Sequence, residues 1–333
     1  MNAAVTVAIP TLDAGPDFRH TLAAVRAQRL DRGLQVLVCD SGSSDDTVAV
    51  ARAYGAEVIE IARESFSHGG TRNLLMSRAR GDHVAFLTQD AVPAGGDWLA
   101  RLLGAWALAP DAGLAFGPYR PRPDASVSVA RELTAWFACF AVDEPRVDRL
   151  SAAERDAPPA RFLGPLGFFT DANGCVERAA WERVPFRRVD YAEDHLLAQD
   201  MLRAGFAKVY VPAAAVIHSH EYSPGEWVRR SFDEARAIRE VYGWSLRPAS
   251  AVRNVRGGVT ADWRWARGAG ARGPAGASGS AAGAPGLPLR AAIAVVAGSV
   301  RHHSAVAAGE LLGGRADRLP PPVVRRLSLE GRP

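Results

Sequence analysis

The sequence predicts an α/β protein built on a mainly parallel sheet flanked by helices, with a helical C-terminal extension. Three observations carry this. Apolar runs of strand length alternate with amphipathic stretches of helix length, the connections are short, and polar residues gather where the predicted strands end. Such alternation favours parallel pairing, because each crossover helix returns the chain to the same end of the sheet.

VTVAIP (5–10) reads as a buried first strand, and residues 16–28 follow as an amphipathic helix opened by a proline. LQVLVCD (34–40) is the second strand. Residues 44–55 form a helix with Ser44 as N-cap, acids in the first turn and Gly55 as its stop. EVIEIA (57–62), a helix over 69–81 and DHVAFLTQD (82–90) complete four strands and three helices. Further on come a strand at 113–119 and a strand, turn and short helix over 166–184. A helix at 191–206, a strand at 208–220 and a long helix at 223–243 follow. The expected organisation is one domain over 1–245, with a first half to about 120 and a second half over 121–245. A flexible Gly/Ala/Pro-rich linker over 246–288 and a helical tail over 289–333 complete it.

The balance of 40 Lys+Arg against 36 Asp+Glu is no nucleic-acid footprint. Lys208 is the only lysine. Cys39, Cys139 and Cys175 are too scattered for a disulfide framework or a cysteine zinc site. The N-terminus lacks a basic stretch followed by an apolar one, and no apolar run reaches the roughly 18 residues of a membrane span, so a cytoplasmic protein is expected. The tail over 289–314 is open to three readings: packing on the domain, on a second subunit of a homodimer, or on the inner face of a membrane.

The first strand runs into IPTLDAGPD, without G-x-G-x-x-G, so a dinucleotide enzyme is not expected. The P-loop is missing too, and CDSGSSDD does not fit the nucleophile elbow. What remains is polar groups at strand ends: Pro10, Thr11 and Asp13, then Asp40, then Thr88, Gln89 and Asp90. Ligands of open α/β sheets bind outside the carboxyl ends of the strands. Asp40 can accept hydrogen bonds from a base or ribose. The start of the 69–81 helix, with Arg72, suits phosphate oxygens. Asp90 can hold a divalent cation, Mg2+ or Mn2+, that also binds diphosphate oxygens. Together these parts would hold a nucleoside diphosphate.

The ordered segments IPT, CDSGSSDDT, FSHGGTRN, FLTQDA, NGCVERAAWERV, YAEDHLLAQDMLRAGF and VIHSHEYS resemble family-two glycosyltransferases of GT-A fold. Within them the likeness is strongest to bacterial rhamnosyltransferases of cell-surface polysaccharide synthesis, and it covers about residues 4–243. The resemblance implies inverting transfer from a nucleoside-diphosphate sugar, with dTDP-rhamnose the favoured donor, to a saccharide or lipid-linked acceptor. It places Asp40 at the nucleotide, and Gly70, Arg72 and Asn73 beside nucleotide and diphosphate. Asp90 becomes the metal carboxylate of a D-x-D motif whose first position here is Thr88. Asp194 is then the base, with Glu193 its neighbour and alternative. His218 is a late metal or diphosphate ligand, and Asn173 and Glu193, with Asp171, are expected to contact acceptor or sugar.

Each residue also has a plainer reading. Asp90 can cap the turn before Pro93, Asp194 can face a helix dipole, and Asp40 can close an Asx turn. Arg72 can be solvated, and His218 with His220 can be a structural pair. Two other functions compete: a sugar nucleotidyltransferase, which should carry a Gly-rich basic loop after the first strand, and a non-catalytic glycosyltransferase-like scaffold, favoured only by Thr88.

Overall fold

The computed structural model describes residues 5–141, 143–189, 191–268 and 287–329. In chain order the elements are β1 (Val5–Thr11), α1 (Phe18–Arg26), β2 (Leu34–Asp40), α2 (Thr47–Ala53), β3 (Glu57–Glu60), α3 (His68–Arg78), β4 (His83–Leu87) and β5 (Val92–Pro93). Then come α4 (Trp98–Leu103), α5 (Ala105–Leu108), β6 (Ala112–Phe116), β7 (Tyr119–Arg120), α6 (Val127–Ala138), β8 (Arg146–Asp148), β9 (Asn173–Glu177) and α7 (Arg178–Arg183). The last are α8 (Glu193–Arg203), β10 (Ala207–Tyr210), β11 (Val216–Ile217), α9 (Pro224–Tyr242), α10 (Pro248–Ala266), α11 (Leu289–Gly313) and α12 (Pro321–Leu327). They form two compact units, residues 1–120 with 139–218, and 121–138 with 219–333.

The first unit is an eight-stranded sheet of order β3-β2-β1-β4-β9-β6-β10-β8. The pairs β1–β2, β1–β4, β2–β3 and β6–β10 are parallel. Strand β9 runs antiparallel between β4 and β6, and β8 is an antiparallel edge. Val7, Ile9, Val38 and Phe86 are fully buried, as continuous apolar runs require when both faces are covered. Phe18, Leu22, Trp98 and Leu102 pack over the same sheet. Burying each such side chain contributes about 1.5–3 kcal/mol. The register pairs Thr11 with Asp40 and Leu87 with Asn173, so the carboxyl ends of β1, β2 and β4 meet the start of β9 at one edge.

Several predicted elements are shorter than expected, three of them for a visible reason. Helix α2 starts at Thr47, because the Ser44 hydroxyl donates to Asp13 instead of capping. Strand β4 stops at Leu87, since Thr88–Ala91 closes a turn. The 208–220 run splits into β10 and β11, and β11 pairs with β5 and β7 in a separate three-stranded sheet. Residues 166–172 form no strand; Lys208 holds them. Its ammonium donates to the carbonyls of Pro165 and Phe168 at 2.7 Å each and lies 3.2 Å from Asp148. Burial lowers that ammonium to about 8, against the pull of Asp148.

The second unit is helical. Ser223 and Glu226 form a capping box at the start of α9. Gly309 and Gly313 let α11 approach α9, since a Cβ there would collide with the carbonyls of Val228 and Phe232. Helix α10 overturns the expectation of a linker over all of 246–288. Pro248 opens it, and Ala251, Asp262 and Ala266 are buried. The Gly/Ala/Pro-rich stretch 269–286 lies outside the described residues. The two units also cut across the predicted 1–245 domain, because α6 and α9 pack with α10 and α11. Among the described residues no helix is long and apolar enough to cross a membrane.

Candidate active site

Loops from the carboxyl edge are laced together. Gln89 accepts from Leu12 N at 2.9 Å and donates to Leu12 O at 3.1 Å, tying the end of β4 to β1. Asp13, with φ 43°, accepts from Ser44 N at 2.7 Å and gives its own N–H to Ser43 Oγ. The Ser44 contacts hold its carboxyl below the usual range. Asp40 is 2% exposed and saturated: Oδ2 accepts from Thr11 and Ser43 hydroxyls, Oδ1 from Gly42 N and Ser43 N. Its carboxylate therefore shapes the Gly42 turn, where φ is +89° and a glycine is needed, and offers no acceptor to a base or ribose. Any nucleotide contact from this loop comes from its neighbours.

The GGTRN segment differs from expectation in the same way. Asn73 accepts from Trp181 Nε1 at 2.7 Å and Phe186 N at 3.0 Å, and donates to Phe186 O at 2.8 Å. It ties α3 to the 181–186 stretch rather than facing a diphosphate. Arg72 is 4% exposed and does not face open phosphate either. Its Nε lies on Asp171 and its NH1 is 2.9 Å from Glu193. Gly70 stays in the first turn of α3, where a Cβ would meet Ser67 Oγ. Asn173 is fully buried, accepts from Trp98 Nε1 at 2.8 Å and donates to the carbonyls of Ala214 and Pro118. It braces the sheet edge and cannot touch acceptor or sugar. Pro10 and Thr11 sit at the end of β1, with Thr11 buried against Asp40.

Arg72 gathers an acid cluster that the sequence does not reveal. Asp171 precedes β9, so it stands at the same edge as Thr88–Asp90, and through Arg72 it is joined to Glu193 at the start of α8. His68 Nδ1 is 4.0 Å from Glu193. Burial pushes the Glu193 carboxyl well up, partly offset by Arg72. Asp194 follows; its Oδ1 accepts from His195 N at 2.8 Å. Burial first, then the Asp171 charge, raises Asp194 to about 7, against the pull of Arg72. Glu193 is pinned in an ion pair, whereas Asp194 keeps some solvent access.

Ala192, just before these acids, is left-handed, with φ 62° and ψ 32°. For a residue with a Cβ this costs about 1–2 kcal/mol, and it turns the chain so that α8 begins with both carboxyls inward. Ala192→Gly is expected to raise unfolding stability by about 1 kcal/mol, and Ala192→Val to lower it by a similar amount or more, in denaturant titrations.

At the mouth of β4 the three-stranded sheet brings His218 to Asp90. Ile217 pairs with Val92, and His218 Nδ1 lies 3.4 Å from Asp90 Oδ2. The Asp90 side chain is 27% exposed. Thr88 Oγ1 is buried with no hydrogen-bond partner among the described residues. One carboxylate and one imidazole fit a divalent cation that accepts mixed N/O donors, which suits Mn2+ better than Mg2+.

This architecture has solved counterparts. A mannosyltransferase from Pyrobaculum calidifontis, in complex with GDP-Man and Mn2+, superposes with TM-score 0.57 at 19% identity, over 96% of this chain and 89% of that one. The fold is GT-A. Residues 6–152 match the glycosyl transferase family 2 model. The O-antigen chain rhamnosyltransferases RfbN of Salmonella typhimurium strain LT2 and WbaN of Salmonella anatum are each 28% identical over 234 residues. The alignments cover 69% and 68% of this chain, and 70% of each relative. The match over residues 6–152 and the rhamnosyltransferase relatives together support a glycosyltransferase; neither the nucleotidyltransferase nor the scaffold is favoured.

Proposed function

We propose that this chain transfers a rhamnosyl group, with inversion, from dTDP-rhamnose to a saccharide or lipid-linked acceptor in cell-surface polysaccharide synthesis. The names of the rhamnosyltransferase relatives support the sugar and setting. Asp194 is the observation that carries the chemistry: a carboxyl raised to about 7 stands beside a buried acid cluster at the sheet edge. A base works best when its pKa lies near the working pH.

In the proposed reaction Asp194 takes the proton of an acceptor hydroxyl as that oxygen bonds to the anomeric carbon. The bond from that carbon to the diphosphate oxygen breaks on the opposite face. Arg72 lies against Asp171 and Glu193 and holds them in place, which leaves Asp194 as the acid not tied into an ion pair. Asp90 and His218 would hold the cation. Bound there, a divalent cation neutralises charge on the leaving diphosphate. We place the reaction in the cytoplasm. Exposed Leu289 and Ile293, one turn apart at the start of α11, support a membrane-facing surface on the helical unit.

Calorimetry across a panel of sugar nucleotides with Mn2+ tests the donor and the cation together. The expected result is tightest binding of dTDP-rhamnose, weakened at least about tenfold in Asp90→Ala. Preference for another sugar would refute the rhamnosyl assignment; unchanged affinity in Asp90→Ala would refute the cation site.

A further inference from the structure

A second group of metal-ligating side chains lies in the helical unit, where α6, α10 and α11 meet. Glu132 comes from α6, Asp262 from α10, and His302 and His303 from α11. Both imidazoles are buried, at 7% and 6% exposure, and Asp262 is fully buried. Asp262 accepts from the hydroxyls of Ser128 and Ser299 and from Arg131 Nε. A carboxyl with so many donors on it is an anion and has no proton to give. His303 Nε2, 2.8 Å from Asp262 Oδ2, must therefore be the donor in that pair. This fixes the tautomer of a neutral His303: the proton is on Nε2, and Nδ1 carries a lone pair.

That lone pair faces another. His303 Nδ1 is 3.4 Å from Glu132 Oε1, and His302 Nε2 is 3.0 Å from Glu132 Oε2. A charge-assisted hydrogen bond is normally about 2.7–2.9 Å, so the His303–Glu132 approach is long for one. It is the length of an edge in a tetrahedron with bonds of about 2.0–2.1 Å, roughly 3.4 Å. The ligand atoms of all three residues lie within 4.8 Å of one another. Facing lone pairs repel unless a cation stands between them. Arg131 does not fill that place: its Nε is on Asp262, and its NH2 reaches Glu132 Oε1 at 3.3 Å.

We propose that Glu132, His302 and His303 bind a zinc-class divalent cation, with Asp262 orienting His303 from behind. The carboxylate–imidazole–metal relay is how such sites fix a ligand's tautomer and raise its basicity. Two imidazoles and one carboxylate are intermediate-to-hard donors that suit Zn2+, Co2+ or Ni2+ better than Mg2+. Glu132 is 43% exposed, which gives the ion an entry path and leaves room for water as a fourth ligand. Gly258 on α10 makes the site possible, since a Cβ there would enter the His303 ring. The ion would staple α6 to α11. It shares no residue with the cation site proposed at Asp90.

The test uses the full-length chain carrying Asp90→Ala, which silences the other cation site, stripped with chelator and titrated with Co2+. The expected result is one equivalent bound, with the strong visible absorption of a four- or five-coordinate ion, displaced by Zn2+, and a higher melting temperature. His302→Gln and Gly258→Ala should each weaken binding at least about tenfold. Should either buried substitution prevent folding, Glu132→Gln at a part-exposed position gives the same readout in a folded chain. No stoichiometric Co2+ uptake, or uptake unchanged by Glu132→Gln, would overturn the proposal and leave a protonated histidine as the cation between these groups.

Discussion

Replacing Asp194 with Asn is expected to lower the transfer rate about 100- to 10,000-fold while leaving nucleotide binding in place. The amide keeps the shape of the side chain and its contact with His195 N, but it cannot take a proton. The pH dependence gives an independent check. Only the ionised carboxylate accepts a proton, so turnover in the parent chain should rise as pH passes about 7 and level off above it. The same shift acts on stability with the opposite trend. The folded-state value is raised above the ordinary 3.8, so the folded protein binds this proton more tightly than the unfolded chain does. That contribution is full below about 3.8 and is lost as pH rises through about 7. In Asp194→Asn both effects should vanish. Turnover at the parent rate, or an unchanged pH profile, would remove Asp194 from the base role and turn attention to Glu193.

The second large effect is expected from Arg72→Leu. The guanidinium is buried between Asp171 and Glu193, and its removal leaves carboxylates in the interior without a counter-charge. Breaking a buried pair in this way costs about 3–5 kcal/mol. The loss should grow with pH. Without Arg72 the acids can stay buried only by taking up protons, which becomes harder as the solution turns alkaline. Urea unfolding at pH 5.5 and 8 would show it. Adding Asp171→Asn to Arg72→Leu should recover part of the loss. A loss below about 1 kcal/mol would mean the cluster is better hydrated than its burial indicates.

These two sites show where sequence and structure part. Strands β1, β2 and β4 are legible because a strand covered on both faces is written as unbroken apolar residues. Strands β5, β7 and β11 are not, since each is two residues long and exists only by pairing with distant segments. An acid at the end of β2 is visible at Asp40; that Thr11, Gly42 and Ser43 saturate it is a matter of loop geometry. Arg72 reads as a phosphate ligand because its partners, Asp171 and Glu193, lie far along the chain. The strain at Ala192 leaves no trace, as alanine gives no warning of a left-handed backbone. Helix α10 is hidden by composition: Gly257 and Gly258 within it and the Gly/Ala-rich stretch after it blur the signal, though Asp262 and Ala266 recur at a helical spacing on its buried side.

Lys208 has a practical consequence. A protease that cuts only after lysine finds a single address in this chain, and that address is shut. It lies on β10, between β6 and β8, with its amine clasped by two carbonyls. Cleavage needs the sheet to come apart, so the appearance of two fragments would time the opening of the first unit without any label.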